Sequence, residues 1–324
     1  MFLTKASNFE SLRRFFSQVL PGCILFSLLS AHGAEATNTV QRLRPFYLIG
    51  HGANTLARAR EYLSLGANGL EMDVNLLAGD TNALCIGHGP NLGAGASGRE
   101  HSVPLAEYLQ ALHALARTNR QLCLIYFDCK TLAATPEHGE KLPHSIRTEL
   151  IGSGDDRVDL TVLISVGKLK ERSMFANIAG QLGPREGLMV DGYSDPVAVS
   201  DFFTGAHVTN QAFSDGVVPV NTFMSQFMVA PAVRKACRLR DAQHEIRFVG
   251  TWSVNNRFWM IKYVKMGVDG IVADRGPVWY NFCWINWGHG LRSLARLVHD
   301  HGTKLGIRPA TRADNPFAAR QHLP

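Results

Sequence analysis

The chain has 324 residues, of which 46% are hydrophobic and 19% are charged. This is enough apolar material for a sizeable core, and it excludes a largely disordered chain. The formal net charge is only +6, with no block of Lys and Arg, so we expect no nucleic-acid partner and at most attraction to a phosphate-bearing surface. The length suits one large domain of the α/β-barrel kind.

The N-terminus has the pattern of a secretory signal peptide. Basic residues precede a short apolar stretch at residues 19–29, and a small-residue cleavage pattern ends at Ala36. The apolar stretch is too short for a permanent membrane anchor, so no transmembrane segment is expected. We predict that residues 1–36 are removed and that the protein is secreted, leaving residues 37–324 as one domain. The alternative is an uncleaved amphipathic helix.

The cysteines do not build the fold. Six are present, and the five that follow the signal peptide match no zinc spacing. Cys123 and Cys129 lie in or beside an apolar strand and are predicted to be core residues.

Predicted strands and helices alternate along the mature chain. Strands are predicted at residues 46–50, 70–76, 83–86, 122–127, 162–166, 187–190, 246–252 and 268–273. Helices are predicted at residues 55–65, 104–117, 144–150, 168–179, 226–240 and 257–266. A Gly/Ala-rich loop spans residues 91–98, and residues 195–221 have no clear pattern. Continuous apolar strands with seven or eight such alternations favour a single-domain α/β fold, a closed (β/α)₈ TIM barrel, over an open sheet.

One predicted strand carries a pair of carboxylates. Glu71 and Asp73 are two residues apart with apolar residues between them, so both point to one side of the strand. Adjacent carboxylates raise each other's pKa unless a cation lies between them, and Mg²⁺ or Ca²⁺ is the natural cation for oxygen ligands. The alternative is a strand with a solvated polar face.

Further candidates fall at the ends of predicted strands, where (β/α)₈ barrels carry their active groups. They are His51, Glu71, Asp73, His88, Asp128, Lys130, Asp191, Trp252 and Asp274. Asp128 would complete a three-carboxylate site for one hard divalent ion. One of His51 and His88 could act as base or nucleophile and the other as acid, and Lys130 could hold a phosphate oxygen. Together these groups suit cleavage of a phosphodiester, although each histidine could instead have a structural role.

Seven segments resemble, in chain order, motifs of the sphingomyelinase D/phospholipase D toxins of spider venoms and some bacteria, within the glycerophosphodiester phosphodiesterase-like superfamily. They are RPFYLIGH at residues 44–51, LGANGLEMDV at 65–74, HG at 88–89, FDCKT at 127–131, WSVN at 252–255, MGVDGI at 266–271 and ATRADNPF at 310–317. The last is the most specific, although Phe317 stands where tryptophan is usual. The resemblance covers nearly the whole mature chain.

The resemblance implies a distorted barrel that binds one Mg²⁺ and has two catalytic histidines. The residues concerned are Glu71, Asp73 and Asp128 for the metal, and His51 and His88 for catalysis. Lys130 and Trp252 would line the head-group site, where Asp274 replaces an asparagine of the family. The tail at residues 310–317 would plug the far end of the barrel.

The activity implied by the resemblance is a secreted, Mg²⁺-dependent phospholipase D that acts as a monomer on lipid at a membrane surface. It would release choline from sphingomyelin or lysophosphatidylcholine when a lipid hydroxyl attacks the phosphorus, which gives a cyclic phosphate. Two other functions stay open. One is a glycerophosphodiesterase acting on water-soluble diesters, and the other is a catalytically silent lipid-binding barrel.

Overall fold

A computed structural model describes residues 43–77, 80–88, 102–131, 133–217, 222–243, 245–275 and 290–318. The predicted signal peptide at residues 1–36 and the loop at residues 91–98 lie outside the described residues. Four cysteines lie within the described residues, and all four are buried free thiols: Cys85, Cys123, Cys129 and Cys237. No helix in these ranges is both long enough and apolar enough to cross a membrane.

Eight parallel strands close into a barrel, which confirms the predicted (β/α)₈ fold. The strands in chain order are β1 Arg44–Gly50, β2 Gly69–Leu77, β3 Asp80–Ile86, β4 Val103–Pro104, β5 Leu124–Cys129, β6 Thr161–Val166, β7 Glu186–Asp191, β8 Gln211–Gly216, β9 Ile246–Trp252, β10 Gly270–Ala273 and β11 Ile307–Pro309. The ring runs β1-β2-β5-β6-β7-β8-β9-β10 and closes where β10 pairs with β1. β11 adds a short parallel extension beside β1.

Helices follow most of the barrel strands. They are α1 Leu56–Ser64, α2 Leu105–Thr118, α3 Pro136–Ser145, α4 Pro196–Gly205, α5 Thr222–Gln243, α6 Arg257–Met266 and α7 Gly290–His301. A π-helical turn, Ile146–Ile151, continues α3, and 3₁₀ turns occupy Gly154–Asp156, Leu169–Asn177, Ala179–Gln181 and Thr303–Leu305. The connection between β6 and β7 therefore consists of 3₁₀ turns, where the sequence predicted a longer helix. This is one distortion of the barrel.

Two strand assignments differ from the sequence prediction. The strand predicted at residues 83–86 is β3, which runs antiparallel to β2 and lies outside the ring. The missing barrel strand is β8, within the stretch that had no clear pattern. Its sequence, QAFSDG, has three polar residues and is nevertheless wholly buried. The side chains of Gln211 and Asp215 form hydrogen bonds inside the protein. Seven of the eight predicted strands are therefore strands of the barrel, and the prediction that residues 83–86 form another was wrong.

The apolar residues form two separate cores. The larger core lies between the strands and the helices and includes Leu70, Met72 and Val74. The smaller core fills the barrel interior and includes Tyr126, on the adjacent strand β5. Because side chains alternate along a strand, Glu71 and Asp73 face the barrel interior, as the period of two predicted.

The C-terminal tail closes the amino end of the barrel. Phe317 belongs to the interior core and is 6% exposed. It lies against Gly187, where a Cβ would overlap the phenyl ring. Asp314 accepts two hydrogen bonds from Arg308, at 2.8 and 2.6 Å. Arg312 donates to three backbone carbonyls at and beyond the end of α2, namely those of Ala116, Asn119 and Leu122. The tail is thus anchored by charge-assisted hydrogen bonds around one buried ring.

Candidate active site

Three carboxylates meet at the carboxyl end of the barrel. β2 and β5 are neighbours, and their register sets Asp73 opposite Asp128. Glu71, Asp73 and Asp128 each offer an oxygen, and these oxygens lie within 4.8 Å of one another. Burial and the nearby charge of Asp73 raise the pKa of Glu71 to about 8. Burial acts in the same direction on Asp73, but the hydrogen bond with His88 and the charge of Lys130 outweigh it and lower the pKa of Asp73.

A lysine ammonium lies among these carboxylates. Lys130 Nζ is 2.5 Å from Asp73 Oδ1 and also donates to Asp128. Burial lowers the pKa of Lys130, but the charges of Asp128 and Asp73 outweigh it and raise that pKa. The cluster thus attracts a cation, and its ligand set consists only of oxygens, which suits Mg²⁺ or Ca²⁺ better than zinc.

Both candidate histidines are held through Nδ1 by a carboxylate. His51 Nδ1 lies 2.6 Å from Asp274 Oδ1, and His88 Nδ1 lies 2.6 Å from Asp73 Oδ2. Each bond fixes the ring orientation and leaves Nε2 available for chemistry. Nε2 of His51 is 4.0 Å from Glu71 Oε2, so the two rings flank the carboxylate cluster.

The pKa values of both histidines are raised. For His51, burial lowers the pKa, but the hydrogen bond to Asp274 and the charges of Asp274, Glu71 and Asp73 outweigh it and raise the pKa to about 10. For His88, the hydrogen bond to Asp73 raises the pKa and outweighs burial. Without a bound cation, the His51 ring therefore favours the protonated state at neutral pH.

Several supporting residues were missed by sequence reasoning. Asn54 donates to Asp73 Oδ2 at 2.7 Å and accepts from the Asp73 backbone N–H at 2.9 Å. The Gly52 N–H donates to Glu71 Oε2 at 2.5 Å. The Asn54 side chain is polar, buried and only three residues from His51, and this proximity was a signal that could have identified it.

A second set of supports holds Asp274. Ser253 donates to Asp274 Oδ2 at 3.4 Å, and Asn255 donates to the same oxygen. With Oδ1 against His51, both carboxylate oxygens are engaged by protein groups. The WSVN segment that was noted for its tryptophan therefore also supplies the residues that orient Asp274.

Two buried polar atoms at the ends of β7 and β9 have no hydrogen-bond partner among the described residues. Tyr126 donates to Asp191 Oδ2, whereas Asp191 Oδ1 is buried with no hydrogen-bond partner among the described residues. Burial and the charge of Asp128 raise the pKa of Asp191 to about 7. Trp252 ends β9, and its Nε1 is likewise buried without a partner in the described ranges.

The eight residues to which the family resemblance assigns a role all lie at the carboxyl end of the barrel. Seven form one connected group through hydrogen bonds, ion pairs or the carboxylate cluster, and Trp252 lies apart on the β9 side. The connected residues are His51, Glu71, Asp73, His88, Asp128, Lys130 and Asp274. Their chemical roles remain predictions.

Comparison with known proteins identifies the family of this chain. Residues 41–280 match the family model described as dermonecrotic toxin SPH. The match covers more than half of the chain, so the chain belongs to that family and is an enzyme of the phosphodiesterase/phospholipase D class. The family suggested by the sequence motifs is thereby confirmed.

Individual relatives are distant but extend over most of the chain. Dermonecrotic toxin Hl-PLD1 of Hemiscorpius lepturus is 24% identical over 273 residues, which cover 78% of this chain and 82% of the toxin. Dermonecrotic toxin LarSicTox-alphaIB1ai of Loxosceles arizonica is 24% identical over 295 residues, which cover 85% and 89%. Among solved structures, spore coat polysaccharide biosynthesis protein spsE of Bacillus subtilis aligns with a TM-score of 0.50 and 12% identity over 82% of this chain and 72% of that chain. That likeness concerns the fold alone.

Proposed function

We propose that the protein is a secreted, Mg²⁺-dependent phospholipase D of the sphingomyelinase D type. Its substrates would be sphingomyelin and lysophosphatidylcholine, from which it would release choline and leave a cyclic phosphate. The observation that carries this proposal is a pair of histidines, each held at Nδ1 by a carboxylate 2.6 Å away, beside a three-carboxylate cluster. Such a site combines an acid, a base and a cation position, which are the requirements for displacement at phosphorus.

Glu71, Asp73 and Asp128 would hold the metal. The raised pKa of Glu71 reflects two buried carboxylates placed side by side, and such an arrangement is costly unless a cation compensates it. A bound Mg²⁺ would offset the negative charge that raises the pKa of His51, and it would stabilise charge on a phosphate oxygen. Lys130, two residues beyond Asp128, would add a second positive charge for the phosphate.

The two histidines would divide the proton transfers. The lipid hydroxyl oxygen forms a bond to phosphorus and loses its proton to Nε2 of His51, while the bond from phosphorus to the choline oxygen breaks. His88 Nε2 supplies the proton that this oxygen needs to leave as choline. His88 is assigned as the acid because its side chain is 45% exposed, against 32% for His51, and choline must leave towards solvent.

The β7–β9 side of the mouth would receive the choline head group. A quaternary ammonium binds the face of an indole ring, which Trp252 would provide. Asp191 Oδ1, buried without a partner among the described residues, would add negative charge to this subsite once the carboxyl group is ionised. Asp274 was also predicted to bind substrate. Since both of its oxygens are engaged by protein groups, we infer that it acts on substrate through His51.

Choline release from three substrates tests the proposal. The mature protein is incubated with sphingomyelin, lysophosphatidylcholine and glycerophosphocholine, with chelator and after Mg²⁺ is added back, and ³¹P NMR identifies a cyclic product. We expect release from the lipids only with Mg²⁺, and a loss of about 10²-fold or more in His51→Asn. His299→Asn, an exposed histidine on α7, is the matched control.

The other outcomes separate the rival functions. Cleavage of glycerophosphocholine alone would replace this proposal by a glycerophosphodiesterase. Vesicle binding without turnover of any substrate would indicate a silent lipid-binding barrel.

A further inference from the structure

Large apolar side chains are exposed at one end of the barrel. The four that the structure describes are Tyr193, Phe227, Met228 and Phe258. Tyr193 follows β7, Phe227 and Met228 lie in the second turn of α5, and Phe258 lies in the first turn of α6. Helices of a (β/α)₈ barrel begin at the carboxyl ends of the strands. All four side chains therefore lie at the end that carries the candidate active site.

Phe227 and Phe258 pack against one shared ring, and Met228 is the neighbour of Phe227 on α5. The Phe227 ring lies 4.7 Å from the Trp259 ring and the Phe258 ring lies 5.5 Å from it, both edge to face. Trp259 is itself buried, so it forms a rigid base beneath the two phenylalanines. Met228 is 82% exposed, Phe227 52% and Phe258 45%. We call Phe227, Met228 and Phe258 the apolar patch.

The apolar patch is tied directly to the candidate active site. Gln226, the neighbour of Phe227, donates to the Ser253 carbonyl at 3.5 Å. The Ser253 hydroxyl donates in turn to Asp274, the partner of His51. The start of α5 therefore lies at the level of the barrel mouth, where hydrogen bonds through Ser253 connect Gln226 with Asp274.

The two helical segments that carry the patch have a positive charge. Residues 222–240 and 257–266 contain no Asp or Glu. Lys262 is exposed and its Nζ lies 5.1 Å from the centre of the Phe258 ring, and Arg257 is exposed beside Phe258. Aromatic and methionine side chains flanked by cations match the interface of a phospholipid bilayer, where apolar groups enter the acyl boundary and cations meet phosphates.

We propose that the apolar patch is the membrane-docking surface of this enzyme, and that it seats the barrel mouth on a phospholipid bilayer. The proposal rests on the proposed lipid substrate. Phe227, Met228 and Phe258 enter the interface, while Lys262 and Arg257 contact lipid phosphates. Docking at this edge brings a lipid phosphodiester to the mouth without withdrawing it far from the bilayer. A second copy of the chain is the competing occupant for such a surface.

Vesicle partition of substituted proteins tests the proposal. The full mature chain is sedimented with phosphatidylcholine vesicles containing 0 or 20% phosphatidylserine, in the presence of chelator. Met228→Gln and Phe258→Ser should each lower the partition coefficient by roughly 10-fold, and the double variant by about 100-fold, because membrane affinity scales with the apolar area inserted. The control is Arg238→Gln, which changes an exposed residue ten positions after Met228 on α5. This variant should bind vesicles as the unchanged protein does.

A soluble substrate separates this proposal from the proposed function. Turnover of monomeric short-chain lysophosphatidylcholine should be unchanged in the double variant, while turnover of vesicle sphingomyelin falls with binding. Failure of the proposed function would appear as no choline release by the unchanged protein, with vesicle binding still measurable. Equal partition of the double variant and the unchanged protein would overturn the docking surface. Concentration-dependent dimers that disappear in Met228→Gln would assign the patch to self-association instead.

Discussion

Replacing Asp274 by asparagine should lower the pKa of His51. The carboxylate lies 2.6 Å from His51 Nδ1 and carries the interaction that opposes burial and raises the pKa of the ring to about 10. Asparagine keeps the size of the side chain but removes the charge. At a separation of about 4 Å between charge centres and an effective dielectric constant of about 20, the lost attraction is about 4 kcal/mol, or roughly three pKa units. Because the ring is 32% exposed, solvent screens part of this, and we expect a fall of about one to three units.

The assay is an NMR titration of the His51 ring in metal-free protein. Asp300→Asn removes an exposed carboxylate on α7 and serves as the control, with no expected change at His51. A His51 pKa in Asp274→Asn within about 0.5 unit of the original would refute the reasoning, since a charge-assisted hydrogen bond of this geometry must contribute more than that.

The same bond has a consequence for stability. The folded-state pKa of His51 is raised above its unfolded value of 6.5. Its contribution to the free energy of unfolding is therefore fully present below pH 6.5 and is lost as the pH rises through about 10. In chelator, the free energy of unfolding of the original protein should fall over that window relative to Asp274→Asn. Parallel pH profiles would contradict the link.

Three further predictions concern the tail, the metal and the acid. Phe317→Ala should lower the free energy of unfolding by about 3–5 kcal/mol, because it empties the amino end of the barrel; an unchanged denaturant midpoint would show that the ring is not part of the core. Glu71→Gln should abolish the rise in melting temperature that Mg²⁺ gives the original protein. In chelator above pH 8 the variant should be the more stable of the two, because burial raises the pKa of Glu71 to about 8 and the ionised form costs folding energy; a lower melting temperature there would contradict the reasoning. His88→Asn should lower choline release by about 10²-fold or more while keeping the Mg²⁺-dependent thermal shift, and loss of that shift would place His88 in the metal site instead.

Local pattern in the sequence determined much of this protein. The period of two in β2 set Glu71 and Asp73 on the face opposite Leu70 and Met72, because side chains alternate along any strand. The alternation of apolar strands and helices indicated the barrel. These features depend on residues that are close together in the sequence, so a single sequence was enough to predict them.

Only the tertiary structure showed which residues of the site contact one another. Asp274 lies 223 positions from His51 in the sequence, and only closure of the ring between β1 and β10 brings them together. β8 was not predicted because its sequence contains several polar residues. Buried polar side chains are stable only where the folded protein supplies their hydrogen bonds. Lys130 was singled out by its position beside Asp128, and the fold sets its ammonium between Asp128 on β5 and Asp73 on β2. Contacts of this kind depend on long-range pairing, which the period of a single segment does not record.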